Sequence, residues 1–211
     1  MMLKIYPMPL GDYQANCYII SVEDLALIVD PGDEAQKIIT YLKTKALKPV
    51  AILLTHGHFD HIGGLEAVLK VYDVPVYAHE LEREYFINKA YNLSTTAGKT
   101  AIEIKDLSAF HFLQEDGGIS LLNQKIEVYH VPGHSSGSIA FYFENDGIVI
   151  SGDALFKGSI GRTDLINGDH QQLINSIQTK LFNLPDETIV YSGHGPATTI
   201  GDEKQTNPFF R

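Results

Sequence analysis

Val50-Ala51-Ile52-Leu53-Leu54-Thr55-His56-Gly57-His58-Phe59-Asp60-His61-Ile62-Gly63-Gly64 runs from an apolar segment straight into three imidazoles and a carboxylate. Its first five residues read as a buried strand. His56 and His58 stand two apart, so on extended backbone both side chains leave the same side, and Gly57 between them allows a tight turn. Asp60 and His61 follow at once and open a helical segment running to Leu69, so a second pair of groups can point elsewhere from the first. Imidazole nitrogen with carboxylate oxygen suits zinc, iron or manganese. Soft thiolate ligands are missing, because the chain has one cysteine.

The same placement of chemistry at the end of an apolar run recurs along the chain. His134 follows Val128-Tyr129-His130-Val131, Asp153 follows Val149-Ile150-Ser151, and His194 follows Ile189-Val190-Tyr191-Ser192. Strand patterns fall at about residues 2–6, 17–22, 25–30, 50–54, 124–131, 138–144, 147–151 and 188–191. Helical faces are formed by Ile38, Ile39, Leu42 and Ala46, and by Leu173, Ile174, Ile177 and Leu181, the second with a capping box at Asp169 and Gln172. Strands arrive in clusters rather than alternating with helices, which predicts mixed sheets covered by helices instead of a doubly wound parallel sheet. Strand ends at one sheet edge can converge on a shared site.

With 211 residues, 44% hydrophobic and 20% charged, the chain fits one globular domain spanning 1–211, with no linker or repeat to divide it. Its start lacks the pattern of a signal peptide and no run approaches a membrane span, so a cytoplasmic protein without a membrane partner is expected. Cys17, in Cys17-Tyr18-Ile19-Ile20, reads as a small core residue. The net charge of −10 comes without any Lys/Arg cluster, which argues against a nucleic-acid partner. Bound dications would offset part of that charge and admit a small anionic substrate.

The ordered set His56-x-His58-x-Asp60-His61, His134, Asp153, His194 resembles the signature of the metallo-β-lactamase superfamily over nearly the whole chain. The resemblance implies an αββα sandwich, an α/β fold of two mixed β-sheets flanked by helices. It also implies two divalent metal ions, Zn2+ first and iron or manganese as alternatives. His56, His58 and His134 would hold the first, Asp60, His61 and His194 the second, and Asp153 would bridge them. Thr55 to Gly64, Pro132-Gly133-His134-Ser135, Gly152-Asp153-Ala154-Leu155-Phe156, Gly161-Arg162-Thr163-Asp164 and Gly193-His194-Gly195-Pro196 are similar to glyoxalase II-type hydrolases. Only 17 residues follow His194, as in the short subgroup without the C-terminal helical domain. The implied activity is hydrolysis of an acyl thioester such as S-D-lactoylglutathione by a metal-bound hydroxide, with Asp60 and Asp153 the catalytic carboxylates. A persulfide dioxygenase using one iron, and a lactone or ester hydrolase, share this motif set.

Gly133-His134-Ser135-Ser136-Gly137 also fits the G-x-S-x-G nucleophile elbow, which requires a helix after the serine. Ser138-Ile139-Ala140-Phe141-Tyr142-Phe143 alternates like a strand, which argues against that reading. Lys157, just beyond Asp153, is the candidate for an anionic substrate group, and Asn92 is a candidate for the cleft wall. Arg162 and Asp164 read as bracing the loop after Asp153. His79 reads as a helix start or cleft lining, His111 and His130 as strand residues, and His170 as part of a helix's first turn.

Overall fold

The computed structural model describes residues 3–98 and 100–211; Met2, where the first strand was expected to begin, lies outside them. One six-stranded sheet holds β1 (Lys4–Leu10), β2 (Ala15–Val22), β3 (Leu25–Val29), β4 (Lys48–Leu53), β5 (Val76–His79) and β6 (Phe110–Leu113) in that order. Its first three strands pair antiparallel and the last four parallel. The second six-stranded sheet contains β7 (Gly117–Leu121), β8 (Gln124–His130), β9 (Ile139–Phe143) and β10 (Ile148–Gly152), and then β13 (Ile189–Ser192) and β14 (Thr198–Thr199). Between β10 and β13 lies a small hairpin, β11 (Leu155–Phe156) with β12 (Ser159–Ile160). Only the β10–β13 pair in the second sheet is parallel, so both sheets are mixed, as expected.

Side chains one apart on a strand leave opposite faces, which lets each sheet bury both. On β2, Cys17 and Ile19 pack outward against Ile38 and Leu42 of α1 (Ala35–Thr44) and Leu65 and Val68 of α3 (Leu65–Leu69). Tyr18 and Ile20 point inward, where with Leu27, Val29 and Leu53 they meet Ile126, Val128, Phe141 and Ile150 of the second sheet. Val149, Val190, Ala140 and Tyr142 on the far face of that sheet pack on Leu173 and Ile177 of α5 (His170–Thr179) and Ile200 of α6 (Ile200–Thr206). The three apolar layers make the αββα sandwich. Each fully buried Leu, Ile or Phe in them is worth about 1.5–3 kcal/mol over the exposed state.

Local signals held in part. Asp169 caps α5 by accepting from the Gln172 amide at 2.9 Å. Ala46 lies past the end of α1 at φ +53°, closing it as Leu47 N–H donates to Leu42 C=O, so it does not share the helix's buried face. The helix expected to open at Asp60 is broken into α2 (Phe59–Ile62) and α3 by Gly63 and Gly64. A Cβ at Gly63 would stand 2.5 Å from Gly32 C=O, and one at Gly64 2.8 Å from Pro31 C=O. This close packing sets the His56–His61 turn against the end of β3. No helix among the described residues is long and apolar enough to cross a membrane.

Candidate metal centre

The residues after β4, β8, β10 and β13 meet at one edge of the sandwich. Three groups there bring ligand atoms within 4.8 Å of one another: His56, His58 and His134; Asp60, His61 and His194; and Asp30, His56 and His61. Asp153 joins the first two, its carboxylate oxygens lying 3.6 Å from His134 Nε2, 3.5 Å from His61 Nε2 and 3.6 Å from His194 Nε2. His194 Nε2 also stands 3.3 Å from Asp60 Oδ2. All seven residues of the expected ligand set are therefore brought together.

Outward hydrogen bonds fix how the rings present themselves. His61 Nδ1 donates to Asp30 Oδ2 (2.9 Å), His134 Nδ1 to Arg162 C=O (2.8 Å) and His194 Nδ1 to Tyr13 C=O (3.1 Å). Thr55 spends its hydroxyl proton on Asp30 Oδ2 (2.6 Å), so at 3.1 Å it can only accept from His56 Nδ1. Four imidazoles thus carry the outer proton and aim Nε2 at the centre, the arrangement that a metal ligand needs. His58 is turned the other way, its Nδ1 3.0 Å from His134 Nε2.

Burial leaves several atoms at the centre without hydrogen-bond partners, His56 Nε2, His61 Nε2 and Asp153 Oδ1, while the unpaired His58 Nε2 lies on the far side of its ring. Buried polar atoms are nearly always satisfied, so a cluster of orphans with lone pairs converging is a fit for cations. Burial, then the neighbouring imidazoles, hold His56 and His58 well below the usual histidine range, which keeps them neutral for ligation. Burial opposes charge on His61 too, but the carboxylates of Asp153, Asp60 and Asp30 outweigh it and lift its pKa to about 10. Asp60 stays ionised well below the ordinary carboxylate range, because His61 and His194 overcome its burial.

Residues not singled out from sequence hold the frame. Asp30, 2% exposed at the end of β3, accepts from Thr55 N–H (2.8 Å), Thr55 Oγ1 and His61; an acid directly after an apolar run was the signal that could have found it. Its bonds explain its grouping with His56 and His61 without an ion on that side. Asn16 donates to Ser192 C=O (3.0 Å) and Gly195 C=O (2.9 Å), and Tyr18 to Ser192 C=O (2.6 Å), stitching the His194 loop of one sheet onto β2 of the other. Glu82, 1% exposed, accepts from Gly57 N–H, Ser135 Oγ and Gly137 N–H, each at 2.7 Å. Those bonds tie the His56–His58 loop to the His134 loop.

The centre opens into a cavity of about 440 Å³ bordered by Tyr13, Phe59, Leu93, Phe156, Ile160, Arg162 and Leu165. An edge-to-face pair of Tyr13 and Phe59 separates it from a second cavity of about 290 Å³. Two expected substrate contacts are corrected. Lys157 is exposed in the β11–β12 turn and does not border the cavity; the cation that does is Arg162, paired with Asp164 at 2.8 Å. Asn92 is fully buried, donating to Tyr85 C=O and Ile102 C=O at 2.9 Å, so it braces the wall from behind. His79 ends β5, accepts from Leu81 N–H at its ring and stacks on His130 at 4.1 Å, away from the ligand cluster. β9 follows Ser135, whose hydroxyl donates to Glu82, which removes the nucleophile elbow.

Comparison with known proteins gives the family. The family described as the metallo-beta-lactamase superfamily matches residues 10–194. The probable metallo-hydrolase YqgX of Bacillus subtilis is 46% identical over 207 residues, covering 98% of this chain and 97% of its own. The hydroxyacylglutathione hydrolase GloC of Haemophilus influenzae is 35% identical over 212 residues, with 98% of each chain covered. The crystal structure of the BLEG-1 B3 metallo-beta-lactamase superposes with a TM-score of 0.93 at 44% identity over 99% of both chains. TTHA1623 in a di-iron-bound form gives 0.86 at 39% identity, over 97% of this chain and 99% of that one. Sequence match, layer order and the converging imidazoles agree: the chain belongs to the metallo-beta-lactamase superfamily and is a metal-dependent hydrolase of that family.

Proposed function

We propose that the protein hydrolyses a small acyl thioester in the cytoplasm at two divalent cations, with zinc the first metal and S-D-lactoylglutathione the first substrate to test. The observation that carries this reading is Asp153, whose carboxylate lies within 3.5–3.6 Å of an imidazole from each donor group and can serve both. The likeness to GloC supports the thioester, and the di-iron neighbour keeps iron as the alternative metal.

His56, His58 and His134 would hold one cation, Asp60, His61 and His194 the other, with Asp153 between. Two such cations, when bound, would supply a water whose pKa falls from about 15.7 to about 7, and positive charge for the scissile carbonyl. Asp60, kept ionised by His61 and His194, would be able to accept a hydrogen bond from such a water and so orient it. Tyr13 and Phe59 border the cavity beside Asp60.

Metal content of protein purified without chelators, measured with thioester turnover in the same preparation, tests the reading. About two cations per chain with hydrolysis is the expected result. One iron per chain, oxygen uptake on a persulfide and no thioester cleavage would replace it with the dioxygenase reading.

Cation binding is also expected to strengthen with pH. His61 must be neutral to ligate, yet in the free protein the carboxylates around it lift its pKa to about 10, and Asp60 and Asp153 raise that of His194 as well, so at pH 7 binding expels at least one proton. Apparent affinity for the Asp60–His61–His194 group should then rise about tenfold per pH unit above 7, levelling near the His61 pKa. Zinc calorimetry in buffers of different ionisation enthalpy reads the proton directly; affinity independent of pH would refute the assignment of His61.

A further inference from the structure

Leu93 is held in a left-handed conformation, φ +67°, that L residues with a full side chain seldom adopt. Its neighbours prevent relaxation. Asn92 and Ser94 are both fully buried, Asn92 C=O accepts from Phe59 N–H at 2.9 Å, and its side chain is fixed to two further backbone carbonyls. Strain of this kind, maintained by its surroundings, is a mark of functional sites. Here it delivers an apolar side chain into the metal cleft, where Phe156, Ile160 and Leu165 also border the cavity.

A thioester's carbonyl has to reach the ligand cluster at the bottom of this cleft. A polar thiol carrier is matched by the polar part of the border, Tyr13 and Ser159, which leaves the apolar wall to the acyl group. Arg162 is the only Lys or Arg among the described lining residues, and Asp164 already pairs with it. A hydroxyl on the acyl chain would lose water against Leu93 and Phe156 and gain no partner from either side chain.

We propose that Leu93 is a specificity-determining residue which, with Phe156 and Leu165, selects apolar acyl chains over the hydroxylated lactoyl group; this rests on the thioester reading of the site. Each methylene buried along this wall raises kcat/KM about fourfold until the cavity is full.

The test uses zinc-loaded protein and a series of thioesters of one thiol, N-acetylcysteamine, carrying D-lactoyl, butanoyl and hexanoyl groups. The expected order is hexanoyl, butanoyl, lactoyl. Asparagine tolerates φ above zero, so Leu93→Asn keeps the backbone, melts no earlier than the wild type, and lowers the hexanoyl-to-lactoyl ratio about tenfold. Equal rates across the wild-type series, or a ratio unchanged in Leu93→Asn, overturns the proposal while leaving thioester hydrolysis standing. Calorimetry with the uncleavable thioether S-hexyl-N-acetylcysteamine gives a second readout. Wild-type binding weakened about tenfold in Leu93→Asn supports the apolar wall, and identical binding by both proteins overturns it. Failure of every thioester to turn over would overturn the functional reading itself.

Discussion

Asp153→Ala is expected to lose both cations and at least about 1,000-fold in kcat/KM, while the metal-free protein still folds. The carboxylate lies within reach of imidazoles from both donor sets, so neither His56, His58 and His134 nor Asp60, His61 and His194 retains its full ligand number without it. Little of the fold depends on it, because Oδ1 has no hydrogen-bond partner and the residue stands at the end of β10 rather than in an apolar layer. The molecule is shaped around this side chain. A Cβ on Gly193 would fall 2.0 Å from Asp153 Oδ1 and 2.8 Å from His61 Cε1, so only glycine lets the His194 loop pass over the carboxylate. Metal analysis, turnover and thermal melting of metal-free protein separate the effects. Two cations and wild-type turnover in Asp153→Ala would end the dinuclear assignment.

The candidate ligands were legible because His56, His134, Asp153 and His194 each stand just after a strand, with His58, Asp60 and His61 close behind the first, and carry a chemistry that a turn has no local use for. Packing behind them was less so. β5 is four residues, Val76 to His79, and exists because it pairs in parallel with β4 and β6, a contact across 24 and 34 positions that no local pattern announces (76 − 52 and 110 − 76). Phe110-His111-Phe112-Leu113 is equally short; its histidine reads as a strand residue, but four residues are too few for a local pattern to mark the strand. Lys157 and Arg162 both lie just after Asp153 in sequence, and the β11–β12 hairpin decides between them by turning Lys157 outward. Asp30 could have been found by the rule that found His56. Glu82 could not: Glu80-Leu81-Glu82-Arg83-Glu84 looks like a solvated charge run, and only the turn after β5 buries one of its three acids.

That burial makes Glu82 the site of the second large effect. Glu82→Gln is expected to weaken cation retention about 10- to 100-fold, slow hydrolysis in step, and cost roughly 1–3 kcal/mol of stability. The wild-type carboxylate accepts from Gly57 N–H on Oε2, and from Ser135 Oγ and Gly137 N–H on Oε1. A glutamine must turn its NH2 toward one of those sides. Ser135 can rotate its hydroxyl, but the two backbone N–H groups cannot, so whichever faces the amide is orphaned and its loop moves. Gly57 lies between His56 and His58, and Gly137 follows His134, so either displacement separates ligands of one cation. The pH dependence has a defined sign. Burial outweighs the three hydrogen bonds and raises the Glu82 pKa from 4.5 to about 7, so its contribution to stability is fully present below pH 4.5 and falls as pH rises to about 7. Glutamine does not titrate, and the wild type's margin over Glu82→Gln should therefore narrow across that window. Melting of both proteins from pH 4.5 to pH 7.5 measures it, with zinc affinity at pH 7.5 as the companion readout. A margin that widens with pH, or zinc affinity equal to wild type, would show that Glu82 does not hold the two ligand loops in register.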